Sequence, residues 1–308
     1  MKTHWKRALA GLAMALAMGA QAQTKINMGF TATAEPVIVF SAQDDKFLEK
    51  RNVDVKPQMI ASSSAIVAAL VAGSLQIGSM PPTVMLQAVD GGVDLVLICG
   101  EAVSEPTLKS SAIVVRNGTD IKGPADLVGR RVGVSAVTSI SHILARRWLE
   151  MNKVDPTKVR FVEIPFTNHA DAIRSGTVDA AVTADPVISR VVTAGTGSVL
   201  HYMQSDIPSG VPMISLVATR EWAKTHANAV AAVCAALSES KAFLAGNPAR
   251  APALYEKYLK LSPAVAQSTE MPNLDTRLEP GKVQWWIDIM KEQGMLSRKL
   301  DASRLIAE

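Results

Sequence analysis

The sequence predicts an α/β protein of two lobes, each a mostly parallel sheet with helices on both faces, joined by a two-strand hinge. Three observations carry that prediction. Short apolar runs alternate with helical stretches from Lys25 onward, and each junction is a corner rich in Ser, Gly or Pro. The alternation restarts after Leu108, and from Glu221 it gives way to helices alone. Strands alternating with helices of that length imply parallel sheets, because parallel neighbours need a crossover between them.

Ahead of the alternation stands "MKTHWKRALAGLAMALAMGAQAQ". Lys2, Lys6 and Arg7 make a basic start, Ala8 to Met18 a short apolar run, and Ala20-Gln21-Ala22 a cleavage pattern, so residues 1–22 read as a signal peptide. A membrane span needs about 20 apolar residues, and this run is shorter. No cysteine near the cleavage point offers a lipid anchor. The mature chain is expected to start at Gln23, to be soluble and periplasmic, and to hold no later segment long and apolar enough to span a membrane.

The first lobe opens with "KINMGF" as a strand, "TATAEP" as a corner and a helix through "VIVFSAQDDKFLEK", whose Asp44-Asp45-Lys46 reads as a solvated helix end. "DVKPQM" is the next strand, "ASSS" its corner, and "AIVAALVAG" a helix stopped by Gly73. "LQIGSM", "PPTVMLQAVDGG" and "VDLVLICG" repeat strand, helix and strand. In the second lobe "RRVGVS", "VRFVEI" and "DAAVTA" are strands, followed by helices over "ISHILARRWLEMNKV", "NHADAIRSG" and "DPVISRVVTAG". Asn168 with Asp171 resembles a capping box. "VPMISLVATR" is a returning strand, and the rest is helical, with the apolar stretch Asn228 to Gly246 packing on the first lobe. Crossings near Leu108–Arg116 and Ser209–Ser215 divide the chain into lobe I, 23–108 with 212–308, and lobe II, 109–211.

Composition excludes several functions. Taking Lys2, Lys6 and Arg7 from 32 basic residues leaves 29 against 28 acidic ones, so nothing favours nucleic acid or an anionic membrane. Cys99 and Cys234 cannot form a disulfide framework and read as two buried free thiols. "AGTGSVLH" has Leu200 where a dinucleotide fingerprint needs glycine; "GVSAV" lacks the second glycine of a nucleophile elbow; no HExxH or CxxC occurs. The histidines are scattered, and His142 in a first helical turn reads as packed or on the surface rather than as a ligand contact. No catalytic residue, metal or cofactor is expected.

What remains is the corners. In parallel α/β sheets ligands bind beyond the strands' carboxyl ends, where helix starts offer unpaired N–H groups and a positive dipole end. "ASSSA", "GSMPPT" and "SAVTSIS" carry more hydroxyls than helix capping uses. Ser62, Ser63, Thr138 and Ser139 are read as binding residues. For Ser79, Ser135 and Ser141, capping and binding both stay open.

"TDIKGPADLVGRRVGVSAVTSISHILARRWLEMNKVDPTKVRFVEIP" resembles the second-lobe start of the sulfonate/nitrate/taurine-type periplasmic solute-binding proteins. "HADAIRSGTVDAAVTADPV" and "IASSSAIVAALVAGSLQIGSMPPTVMLQAVDGGVDLVLI" are similar to further segments of that family, in the same order. The resemblance implies the type II periplasmic binding protein fold, a monomer that serves an ATP-driven importer, a membrane permease as partner, and a small anionic solute (sulfonate, taurine, nitrate or carboxylate) without chemistry. It implies ligand corners at Thr31 and Thr33, at Ser62, Ser63 and Ser64, and at Ser79, Met80 and Pro81. In the second lobe it implies Ser135, Thr138 and Ser139, then Phe166, and Thr183 with Asp185. Gln76 stands where the family has an aspartate, and no arginine clamp is evident. A thiamine-precursor pyrimidine binder or biosynthetic protein of the same fold, or a ligand-presenting sensor partner, are the alternatives.

Overall fold

The computed structural model describes residues 23–137 and 139–307. The expected signal peptide and Thr138 lie outside the described residues.

Two five-stranded sheets are built on one plan. The first joins β1 (Thr24–Phe30), β2 (Val53–Met59), β3 (Ile77–Met80), β4 (Leu95–Val103) and β10 (Pro212–Thr219) in the order β2-β1-β3-β10-β4. The second joins β5 (Ser111–Arg116), β6 (Arg131–Val134), β7 (Arg160–Glu163), β8 (Ala180–Ala184) and β9 (Gly197–Tyr202) in the order β7-β6-β8-β5-β9. β1 pairs parallel with β2 and β3, and β6 with β7 and β8, as the crossover helices require. The fourth strand of each sheet, β10 or β5, runs against both neighbours. Each reversed strand enters immediately after the chain has crossed from the other sheet.

The helices of the first sheet are α1 (Val37–Asp44), α2 (Ser63–Val71) and α3 (Pro82–Asp90). Those of the second are α4 (Ile140–Met151), α5 (Phe166–Ser175) and α6 (Val187–Thr193). The C-terminal part supplies α7 (Arg220–Thr225), α8 (Ala227–Gly246), α9 (Arg250–Leu259), α10 (Pro263–Ser268) and α11 (Pro280–Glu292). One buried apolar cluster runs from Ile66 and Met85 through Trp286 to Ile113 and Ile143, and so joins both sheets. A second fills the other face of the first sheet, with Phe30, Phe40, Leu237 and Tyr255; a third fills the other face of the second sheet, with Ala112, Ile173 and Val191.

Several expectations are corrected. Cys99 on β4 and Cys234 on α8 form a disulfide, with Cα atoms 5.9 Å apart, because α8 packs across β4. The 20-residue α8, at mean hydropathy 1.4, is long and apolar enough to cross a membrane. It packs instead on the first sheet and α1, where buried Ser240 Oγ donates to Ile38 O at 2.7 Å. Asp44 is no solvated helix end: it accepts from Lys257 Nζ at 2.5 Å and Tyr258 Oη at 2.7 Å, and pairs with Arg250. Asn168 caps nothing, since α5 starts two residues earlier behind Pro165; Asp171 pairs with Arg174. β9 occupies most of "AGTGSVLH", a stretch for which the sequence predicts no strand.

Candidate functional site

The segments that cross between the sheets, 104–110 and 203–211, lie side by side. Ser104 N donates to Val211 O at 2.8 Å and Gly210 N to Ser104 O at 2.9 Å. Gln204, only 4% exposed, accepts from Glu105 N at 2.9 Å and donates to Ser110 Oγ at 2.7 Å.

Beside these crossings, both sheets wall a cavity of about 60 Å³, which is room for a compact group and some water. Its walls follow strand ends: Thr31 and Thr33 after β1, Ser62 and Ser63 after β2, Pro81 after β3. Opposite them stand Ser135 and Ser139 after β6, Phe166 after β7, and Thr183 within the end of β8. The helices α2, α3, α4 and α5 begin here. Proline stands at the cap of α3 and α5, and no side chain caps either helix, so their first N–H groups are left for other partners.

Other residues named from the sequence lie off the wall. Ser64 is exposed on α2, one position past the wall. Ser79 Oγ donates to buried Glu101 Oε2 at 2.5 Å. Met80 is core, and Asp185 Oδ1 accepts from Ser189 N and Oγ at 3.0 and 2.7 Å. Glu35, Ser111, Ser141, Gln204 and Met213 also line the wall. Glu35 gave no signal because a glutamate before Pro36 reads as a helix start. Met213 and Gln204 arrive only with the crossings, which no local pattern reports.

The hydroxyls are not equivalent. Ser139 Oγ donates to Ala136 O at 2.7 Å, so its one hydrogen is spent; the same oxygen caps α4 by accepting from His142 N at 3.4 Å and lies 2.7 Å from Ser141 Oγ. Burial pushes His169 down to about 4, so the ring is neutral near pH 7. Its Nε2 lies 2.8 Å from Ile164 O, which only accepts, and therefore carries the proton; Nδ1 then accepts from Thr183 Oγ1 at 3.1 Å. Thr183 thus turns lone pairs, not a hydrogen, toward the cavity. Burial also pushes His142 down to about 4, and its ring packs edge-on against Phe161, centroids 4.7 Å apart. Thr31, Ser63 and Ser135 keep free hydroxyls, each without a side-chain partner among the described residues.

Known proteins share this architecture. The alkanesulfonate-binding protein SsuA from Xanthomonas axonopodis pv. citri, bound to MOPS, superposes with a TM-score of 0.80 at 20% identity, over 94% of this chain and 99% of that one. The periplasmic nitrate-binding protein NrtA from Synechocystis PCC 6803 superposes with a TM-score of 0.76 at 16% identity, over 91% and 84%. These likenesses establish the periplasmic binding protein fold. In sequence, an aliphatic sulfonates-binding protein of Escherichia coli K12 is 25% identical over 99% of this chain and 97% of its own length. Residues 19–256 match the model of the NMT1-like family; the chain belongs to that family.

Proposed function

We propose that this chain is the extracytoplasmic solute-binding component of an ATP-driven importer, and that it captures a small solute with an anionic head in the cavity between its two sheets. The observation that carries the reading is that cavity, bordered from both sides by helix starts and by the free hydroxyls of Thr31, Ser63 and Ser135. Helix N-termini and hydroxyls can hold an anion with no cationic side chain. The sulfonate and nitrate named for the relatives support the same class of head group. The two sheets with their helices then act as lobes that close on the solute, lobe I being 23–108 with 212–308 and lobe II 109–211. The solute leaves unchanged, and residues 1–22 are removed on export to the periplasm.

The test is calorimetric titration of the mature protein with sulfonates, carboxylates and nitrate, repeated on Ser63→Ala with Ser135→Ala. Neither hydroxyl caps a helix or holds another side chain, so stability is expected to stay near that of the parent. Hydrogen bonds to a charged group contribute about 1.5–3 kcal/mol each, so affinity is expected to fall at least tenfold. Unchanged affinity in the double variant, or no binding across the panel, overturns the reading.

A further inference from the structure

The cavity wall holds an acid where an anion is to sit. Among the described wall residues Glu35 is the one ionisable side chain, and no lysine or arginine stands with it. Its Oε2 is buried, and the Thr33 hydroxyl, also on the wall, hydrogen-bonds the carboxyl. The titratable groups that face Glu35 come from three other elements: Asp185 just past β8, Glu101 on β4 and Tyr255 on α9. All three are acids. Glu270 faces Asp185 in turn, and His169, behind Thr183, is neutral near pH 7. Among the described residues no base offsets a charge on Glu35. An anion in the cavity would add one more negative charge beside this cluster, where burial weakens the screening of repulsion.

We propose that Glu35 determines specificity as a protonated carboxyl that donates its O–H to the solute's anionic head, so that one proton is bound with each solute. The inference rests on the anion reading above and deepens it. A protonated carboxyl carries one O–H donor, and it removes the repulsion that a carboxylate would exert on the head. No covalent bond of the solute changes: the proton stays on Glu35, and solvent supplies it wherever the free protein has released it. Burial, with Asp185 nearby, raises the Glu35 pKa, and the Thr33 hydrogen bond opposes that rise. Affinity is therefore complete below the pKa of the free carboxyl. It weakens as pH rises through that value, by about tenfold per unit for one linked proton.

The test uses three anions that stay ionised from pH 6 to pH 9, ethanesulfonate, nitrate and butanoate, titrated calorimetrically into the mature protein. For any that binds, affinity is expected to fall about tenfold or more across that range. At the alkaline end the heat of binding is expected to vary with the buffer's ionisation enthalpy, as proton uptake requires. Glu101 titrates in the same range, so Glu35→Gln and Glu101→Gln separate the two acids. Glu35→Gln, which keeps a donor that cannot ionise, is expected to flatten the profile, and Glu101→Gln to retain a fall. Thr33→Val removes the bond that favours the carboxylate; it is expected to move the fall to higher pH, and serves should Glu35→Gln fold poorly. A flat native profile, a fall that survives Glu35→Gln, or one that Thr33→Val leaves in place overturns the Glu35 assignment while sparing the anion site. Binding of none of the three anions overturns the anion site and this inference with it.

Discussion

Glu101 illustrates what a buried acid does to folding. It is fully buried on β4 and takes one hydroxyl, from Ser79, while Oε1 has no partner. Burial raises its pKa from the ordinary 4.5 to about 8, with nearby Glu35 adding to the shift. The folded state therefore holds a proton that the unfolded state releases between those values. Its contribution to stability is complete below pH 4.5 and is lost as pH rises toward about 8. Denaturant unfolding at pH 5 and pH 8 is expected to show a loss on the order of a few kcal/mol. Glu101→Gln, which has no proton to lose, is expected to shrink that loss. An unchanged pH dependence in the variant would show that Glu101 is not its source.

At the scale of elements, the two crossings matter most, because the reversed strands β5 and β10 begin where they end. Gln204, on the second crossing, holds the first through Glu105 N and Ser110 Oγ. Trp286 Nε1 on α11 fixes the entry to β10 by donating to Pro212 O at 2.8 Å. Truncating Gln204 strands the half-buried Glu105 N–H and the buried Ser110 hydroxyl, which costs about 1–3 kcal/mol. Gln204→Ala is thus expected to lower the unfolding free energy by that amount, and Gln204→Glu, which keeps the acceptor but loses the donor to Ser110, by less. Equal losses for the two variants would show that the bond to Glu105 N contributes little. The C-cap of α11 also reaches a helix of the other half, where Gln293 Nε2 donates to Ile143 O on α4 at 3.1 Å.

For the whole molecule, the disulfide is a covalent long-range constraint. Cys99 and Cys234 are 135 residues apart, and closing a loop of that length in the unfolded chain is worth about 5 kcal/mol in the chain-entropy account. The paired Cys99→Ser, Cys234→Ser variant is expected to melt several degrees lower, with reducing agent lowering the parent's melting temperature and leaving the variant's alone. A parent indifferent to reductant would contradict a stabilising role. Disulfides persist in oxidising compartments, so the bridge agrees with the export proposed from residues 1–22.

The sequence alone determined the alternation of strands and helices, the restart that yields a second sheet, and the hydroxyl-rich corners. Each of these is written in local residue types: apolar runs, helix stops such as Gly73, and Ser or Pro at helix starts such as Ser62 and Pro81. It did not determine what depends on distant residues meeting. Cys99 and Cys234 read as free thiols until α8 lay across β4. Asp44 read as solvated until α9 brought Lys257 and Tyr258 to it. Ser139 and Thr183 were legible as hydroxyls, but only their neighbours Ala136 and His169 decided which way each hydrogen points. Glu35 joined the wall only when the crossings set two sheets around one cavity. Local propensity acts over a few residues, whereas burial and hydrogen-bond pairing are settled by whatever the rest of the chain packs alongside.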